Sequence, residues 1–175
     1  MNSENIGYEN GLKALKQVEV FLAQVGWEPQ QTDIEEVLLV DFESENIPIA
    51  NAHFDVRVDY ERFLCYFNFK DIAGEEQRKY VMEFITLANF DLVIGNFELN
   101  LNTGQVRFKS SVDFTQLELN NTFIRNTIKC AMDVVEVYGE ALVEVINGTK
   151  EPMRAFQEAG VGLTNSNEKG KFNLE

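Results

Sequence analysis

The chain has 175 residues, is 45% hydrophobic with 14 Phe, and carries a formal charge of -14 from 29 Asp and Glu against 15 Lys and Arg. A chain of this size and apolar content buries roughly 70% of its unfolded surface as a single domain, which argues against intrinsic disorder. Its negative field repels phosphate backbones and anionic lipid, and Arg78-Lys79 is the sole adjacent basic pair, so no nucleic acid and no membrane partner is expected.

Cys65 and Cys130 stand far apart in apolar stretches. They form no CxxC pair and are too few for a zinc site, so free buried thiols are expected. Met1 to Gly11 lacks the basic and apolar regions of a leader, and nowhere do 18 apolar residues follow one another. A cytoplasmic protein with no cofactor or metal is the expectation.

In chain order, Leu12, Leu15, Val18, Leu22 and Val25 recur at three- and four-residue steps and predict an amphipathic helix over Leu12 to Val25. Gly26 suits the left-handed position after it, with Trp27 folding back onto Leu22 and Pro29 preventing continuation. Strands are predicted at Val37 to Glu43, Ala52 to Tyr60 and Phe63 to Phe69. In the middle one, Phe54, Val56, Val58 and Tyr60 alternate with a solvated set of His53, Asp55, Arg57 and Asp59. A second helix from Gly74 to Ala88 buries Tyr80, Val81, Phe84, Ile85 and Ala88, with Asn89 as a left-handed cap. A hairpin from Val93 to Phe114 turns at Asn102-Thr103-Gly104, and its expected register pairs Leu99 with Phe108 and Glu98 with Lys109.

A last helix over Asn120 to Asn147 is apolar around more than half its circumference and would be about 40 Å long. Either Gly139 breaks it or part of it meets a partner. After Pro152 a stub at Met153 to Glu158 and then a mobile Gly/Asn-rich tail are expected, dividing the chain into one domain at 1–150 and a polar tail at 151–175.

The expected fold class is α+β: helix, three strands, helix, two strands, long helix, with a five-stranded antiparallel sheet packed by helices. This order, together with Val93-Ile94-Gly95-Asn96-Phe97-Glu98-Leu99, the Asn102-Thr103-Gly104 turn, Val106-Arg107-Phe108 and the long last helix, resembles the YbjN family over roughly residues 8 to 148. That family shares the fold of the type III secretion chaperones. The resemblance implies a self-associating α+β domain of the kind labelled a sensory transduction regulator, with no catalytic residues to carry over. Chaperones of this fold are small and acidic, and they bind extended effector segments along sheet and helix surfaces. The Gly/Asn-rich tail departs from that pattern.

Reaction chemistry is sparse. His53 is the single histidine, which leaves no two-histidine metal site and reads as a surface histidine beside Asp55. Asp41, Glu43 and Glu45, sharing one face at two-residue spacing, with Asp55 and Asp59 on the outer face of the neighbouring strand, read as a solvated acidic face, against a calcium or basic-peptide site. Gly95-Asn96 and Gly160-Val161-Gly162 lack the spacing of a phosphate loop. Phe63, Tyr66, Phe67, Phe69, Phe84 and Phe90 read as core, against the lining of a ligand cleft.

Surplus apolar area is the stronger signal. Leu39, Leu64 and Tyr66 on a second sheet face, and Val135, Tyr138 and Leu142 on the last helix, form a candidate interaction surface. It implies a homodimer, unless the first helix and the C-terminal stub cover both patches. The expected function is a non-catalytic protein-interaction domain, chaperone- or regulator-like, receiving a protein or peptide of basic character. The alternative is a small-ligand sensor with an aromatic pocket between the sheet and the last helix.

Overall fold

Helix α1 (Ser3–Gln24) starts well before the predicted Leu12 and buries Ala14, Val18, Phe21 and Leu22, while Leu12 lies outside that stripe and is exposed. Its end is the Schellman arrangement anticipated from sequence. Gly26 has φ 78°, its N–H donates to the Ala23 carbonyl, and the Trp27 N–H donates to the Leu22 carbonyl. The computed structural model describes residues 3–42 and 47–162; Glu43, Glu45 and the tail beyond 162 lie outside the described residues.

Among the described residues an antiparallel sheet of six strands runs β1-β2-β3-β4-β6-β5, one more strand than expected. The additional strand is the two-residue β1 (Gln30–Gln31), too short to show periodicity, which pairs with Leu38 and Leu39 of β2 (Val37–Asp41). Strands β3 (Ile49–Arg57) and β4 (Arg62–Ile72) form the centre, and β5 (Asn96–Leu99) closes the far edge beside β6 (Gln105–Asp113). The predicted strand end at Tyr60 is overturned. Val58–Tyr60 is a single 3-10 turn that buries Val58 and leaves Tyr60 exposed, because Glu61 takes a left-handed φ of 51° to reverse the chain.

The hairpin register is also two residues from the expected one. Phe97 faces Phe108, Glu98 faces Arg107 and Leu99 faces Val106, so every side chain keeps its face while its partner changes. The cause is the loop. Asn100 Oδ1 accepts from the Asn102 and Thr103 N–H groups at 2.9 and 3.2 Å, and the Asn100 N–H donates to the Gln105 carbonyl, so four residues span the turn.

Helix α2 (Arg78–Asp91) continues past Asn89, which is a helical residue and no left-handed cap. Helix α3 (Asn121–Ile146) is capped by Asn120, whose side chain accepts from the Thr122 and Phe123 N–H groups. It runs unbroken through Gly139, where the missing side chain admits Pro48: a Cβ there would sit 3.0 Å from the Pro48 ring. Helix α4 (Pro152–Gly162) is longer than the predicted stub.

The four helices contribute to one buried cluster with Phe54, Phe63, Phe67, Phe69 and Phe108 from a single sheet face. Tyr138 of α3 is held between α2, α4 and the sheet, with ring centroids 6.4 Å from Phe84, 6.0 Å from Phe156 and 6.3 Å from Phe97. This corrects the expectation for the last helix. Val135, Tyr138 and Leu142 are 2%, 6% and 0% exposed and belong to the chain's own core, so they offer no surface.

Candidate functional site

The second face of the sheet is organised in rows across the strands. Leu39, His53, Tyr66, Lys109 and Asn96 are consecutive cross-strand partners, and Val37, Asp55, Leu64 and Ser111 form the adjoining row. Leu39, Leu64 and Tyr66, the sheet half of the predicted surface, are half-buried and lie in these two rows. The structure therefore separates the six candidate residues into a sheet trio on this face and a helix trio in the core.

Charged side chains frame the apolar ones. Glu98 accepts from Arg107 at 2.7 Å and from Lys109 at 2.6 Å, and the Arg107 guanidinium lies 4.2 Å from the centre of the Tyr66 ring. Burial alone would raise the Glu98 carboxyl, but the hydrogen bonds and charges of Lys109 and Arg107 hold it below its ordinary value. His53 points outward as predicted; burial and then the Arg107 charge lower its pKa, so it is a neutral imidazole at pH 7.

Asp55 departs from its reading as a solvated residue: it is 4% exposed. Its row neighbours are Val37 and Leu64, and the segment between β1 and β2 folds beside it, with the Val56 N–H bonded to the Glu36 carbonyl. Thr32 shapes that segment, its hydroxyl meeting the Ile34 N–H and the Val37 carbonyl at 3.1 Å each. Strand alternation assigns Asp55 to the outer face but carries no signal that a loop will cover it. Oδ2 pairs with Arg57 at 2.7 Å, whereas Oδ1 is buried without a hydrogen-bond partner. Burial pushes the Asp55 carboxyl up, against the opposing Arg57 charge. An open pocket of about 450 Å³ includes Asp55, Ile34, His53 and Tyr66 in its wall.

The other candidates resolve into structure. Phe63, Phe67, Phe69 and Phe84 fill the core, Tyr66 lies on the opposite sheet face, and Phe90 projects into solvent at 89% exposure, so these residues do not line one cleft. A cavity of about 930 Å³ between the sheet end, α3 and α4 has an aliphatic and charged wall that includes Pro48, Val137, Glu140 and Ala141. Cys65 is buried and Cys130 half-buried; both are free, and burial raises both thiols. Among the described residues no group of three or more His, Cys, Asp or Glu is placed to hold a metal ion, and no helix is long and apolar enough to cross a membrane.

Helices gathered on one face of an antiparallel sheet, with a mixed apolar and charged surface on the other, define a small α+β domain whose distinctive feature is a surface. The chain belongs to the YbjN family: the family's sequence model, described as "Putative bacterial sensory transduction regulator", matches residues 14–144. Among solved structures, the fold is similar to that of "YbjN, a putative transcription regulator from E. coli", at 12% identity and a TM-score of 0.54 over 69% of this chain and 87% of that one. Similarity also extends to the ExsC-ExsE complex, at 18% identity and TM-score 0.49 over 81% and 97% of the two chains. For the HopA1-SchA chaperone-effector complex the values are 11%, 0.44, 85% and 96%. No curated protein sequence matches the chain significantly.

Proposed function

We propose that this YbjN-family protein is a non-catalytic protein-interaction domain of regulator or chaperone type, acting in the cytoplasm, where its two free thiols stay reduced. The observation that carries the reading is the second sheet face, on which Leu39, Leu64 and Tyr66 remain half-exposed while the four helices pack on the other side. An apolar band framed by charge suits an extended protein segment, and the charge of -14 favours one of basic character. The homodimer reading draws on this same face, because the α3 residues that also suggested it are enclosed.

The test is affinity capture of the full chain from native-host lysate, with mass spectrometry of what survives a salt wash, beside a Leu64→Glu variant. A stoichiometric protein retained by the wild type and lost by the folded variant is the expected result. Retention of nothing, with sedimentation showing a monomer, would overturn both the partner and the homodimer readings.

A further inference from the structure

Helix α4 packs against both α2 and α3 without filling the space beside them. Its buried and half-buried residues Pro152, Ala155, Phe156 and Ala159 recur at i, i+3, i+4 and i+7, and Phe156 stacks on Tyr138 with ring centroids 6.0 Å apart. Two of those four residues are alanines. The cavity of about 930 Å³ runs along them, between Ala155 and Ala159 of α4 and Val137 and Ala141 of α3; since protein interiors pack to crystal density, this seam is loose. Ion pairs add little hold at such exposed positions: Glu158 pairs with Arg154 inside α4 and with Lys150 in the preceding loop, and Lys150 carries the tie on to Glu144 of α3. The end of α3 is fixed separately, because the Thr149 N–H and hydroxyl both donate to the Glu144 carbonyl, which leaves Lys150 and Glu151 as the link to α4. A helix of 11 residues with Gly160 and Gly162 in its last turn does not persist on its own. The groove under α4 is built inside the 14–144 span of the family match, and its cover lies outside that span.

We propose that α4 is a displaceable cover, and that the groove it occupies between α2 and α3 receives an amphipathic helix of a protein partner, with apolar residues at the spacing of α4 and a longer one where α4 has Ala159. The seated α4 is the template for that occupant, since it places an aromatic ring over Tyr138 and small residues beside α3. A longer apolar side chain at the place of Ala159 extends into the cavity and buries surface that α4 leaves uncovered. Release of α4 uncovers Tyr138, which is 6% exposed with α4 seated. The inference shares the protein-interaction reading but uses the helical side of the sheet, so the two sites stand or fall separately.

The experiment uses isotope-labelled full-length protein titrated with an acetylated, amidated peptide of residues 151–162 carrying Ala159→Leu, beside a scrambled peptide of the same composition. The Ala159→Leu peptide is expected to shift the amides of Phe84, Tyr138 and Ala141 and to move those of the protein's own Phe156 and Ala159 to unfolded positions, with the scrambled peptide binding at least about tenfold weaker. In the full chain Phe156→Asp vacates the groove, so its affinity for the peptide is expected to rise at least about tenfold over the wild type. Phe156→Ala serves the same comparison if the first variant fails to fold, and if neither folds the two peptides on wild type decide alone. Equal affinity of wild type and the released variant, equal binding of the two peptides, or α4 amides that keep their folded positions at saturation would overturn the inference. Hydrogen exchange of the α4 amides is expected at least about tenfold faster than that of Ala131 and Leu142 in α3; exchange of both only through global unfolding would show that the cover does not open. A wild-type dimer in sedimentation that Phe156→Asp abolishes would give the groove to α4 of a second copy and overturn the assignment to a partner. Peptide shifts confined to Leu39, Leu64 and Tyr66 would sink the groove and leave the second sheet face standing, whereas partner capture that survives Leu64→Glu, with the peptide seated on α3, would do the reverse.

Discussion

Asp55 sits where two local tendencies conflict. Its position on β3 assigns it to the polar side of an alternating strand, while Val37, Leu64 and the covering segment remove water from it. The sign of the consequence follows from its raised pKa. A carboxyl whose folded pKa exceeds its unfolded value, 3.8, contributes stability that is fully present below 3.8 and is lost as pH rises through the folded value. Asp55→Asn has no such loss, so it should melt above the wild type at pH 7, with the gap closing below about pH 3.8; thermal scans at the two pH values check this. Glu98 behaves oppositely. Its depressed pKa supplies stability above its ordinary value of 4.5 that is lost on acidification through the folded value. Gly104 is a different kind of constraint: with φ 79° and a would-be Cβ 2.0 Å from the Ala73 carbonyl oxygen, it permits the loop to dock on the end of β4. Gly104→Ala should cost about 2 kcal/mol in urea unfolding.

At the scale of elements, the β5 edge shows how a helix residue can finish a sheet. Asn89 of α2 accepts from the Phe97 N–H at 2.8 Å and donates to the Phe97 carbonyl at 3.1 Å, taking the place of a neighbouring strand. A residue that reads as a helix cap is thereby used to block edge pairing. Asn89→Ala should lower stability by about 1–3 kcal/mol and raise self-association, measured by denaturation and light scattering; an unchanged melting point and a monodisperse sample would show that the edge needs no block. The hairpin tells a similar story, because the Asn100 side chain sets the loop length, and the loop length sets which residues face each other.

Across the whole molecule, α2, α4 and the sheet pack around the stripe of α3 that holds Val135, Tyr138 and Leu142. Leu142 is fully buried, so Leu142→Glu places a charge in the core and should cost about 4 kcal/mol or more, a large fraction of the total stability of a domain this size. Circular dichroism is expected to show an unfolded or strongly destabilised chain; a folded, soluble monomer would instead mean that α3 faces a partner. The second sheet face carries the apolar trio, the Glu98 pairs and the Asp55 pocket together.

The amino-acid sequence by itself determined the order of the main elements, the α+β class, the Gly26 helix end and the faces of the strands, because these depend on local periodicity and capping chemistry. It also marked Leu39, Leu64 and Tyr66 as outward apolar residues, since period-two alternation requires it. The tertiary structure alone decided which apolar surplus was enclosed, which residues faced across the hairpin, and that Asp55 lost its water. Each of those depends on segments distant in sequence meeting in space: α4 over α3, Asn100 closing its loop, and the Thr32 to Glu36 segment against β3.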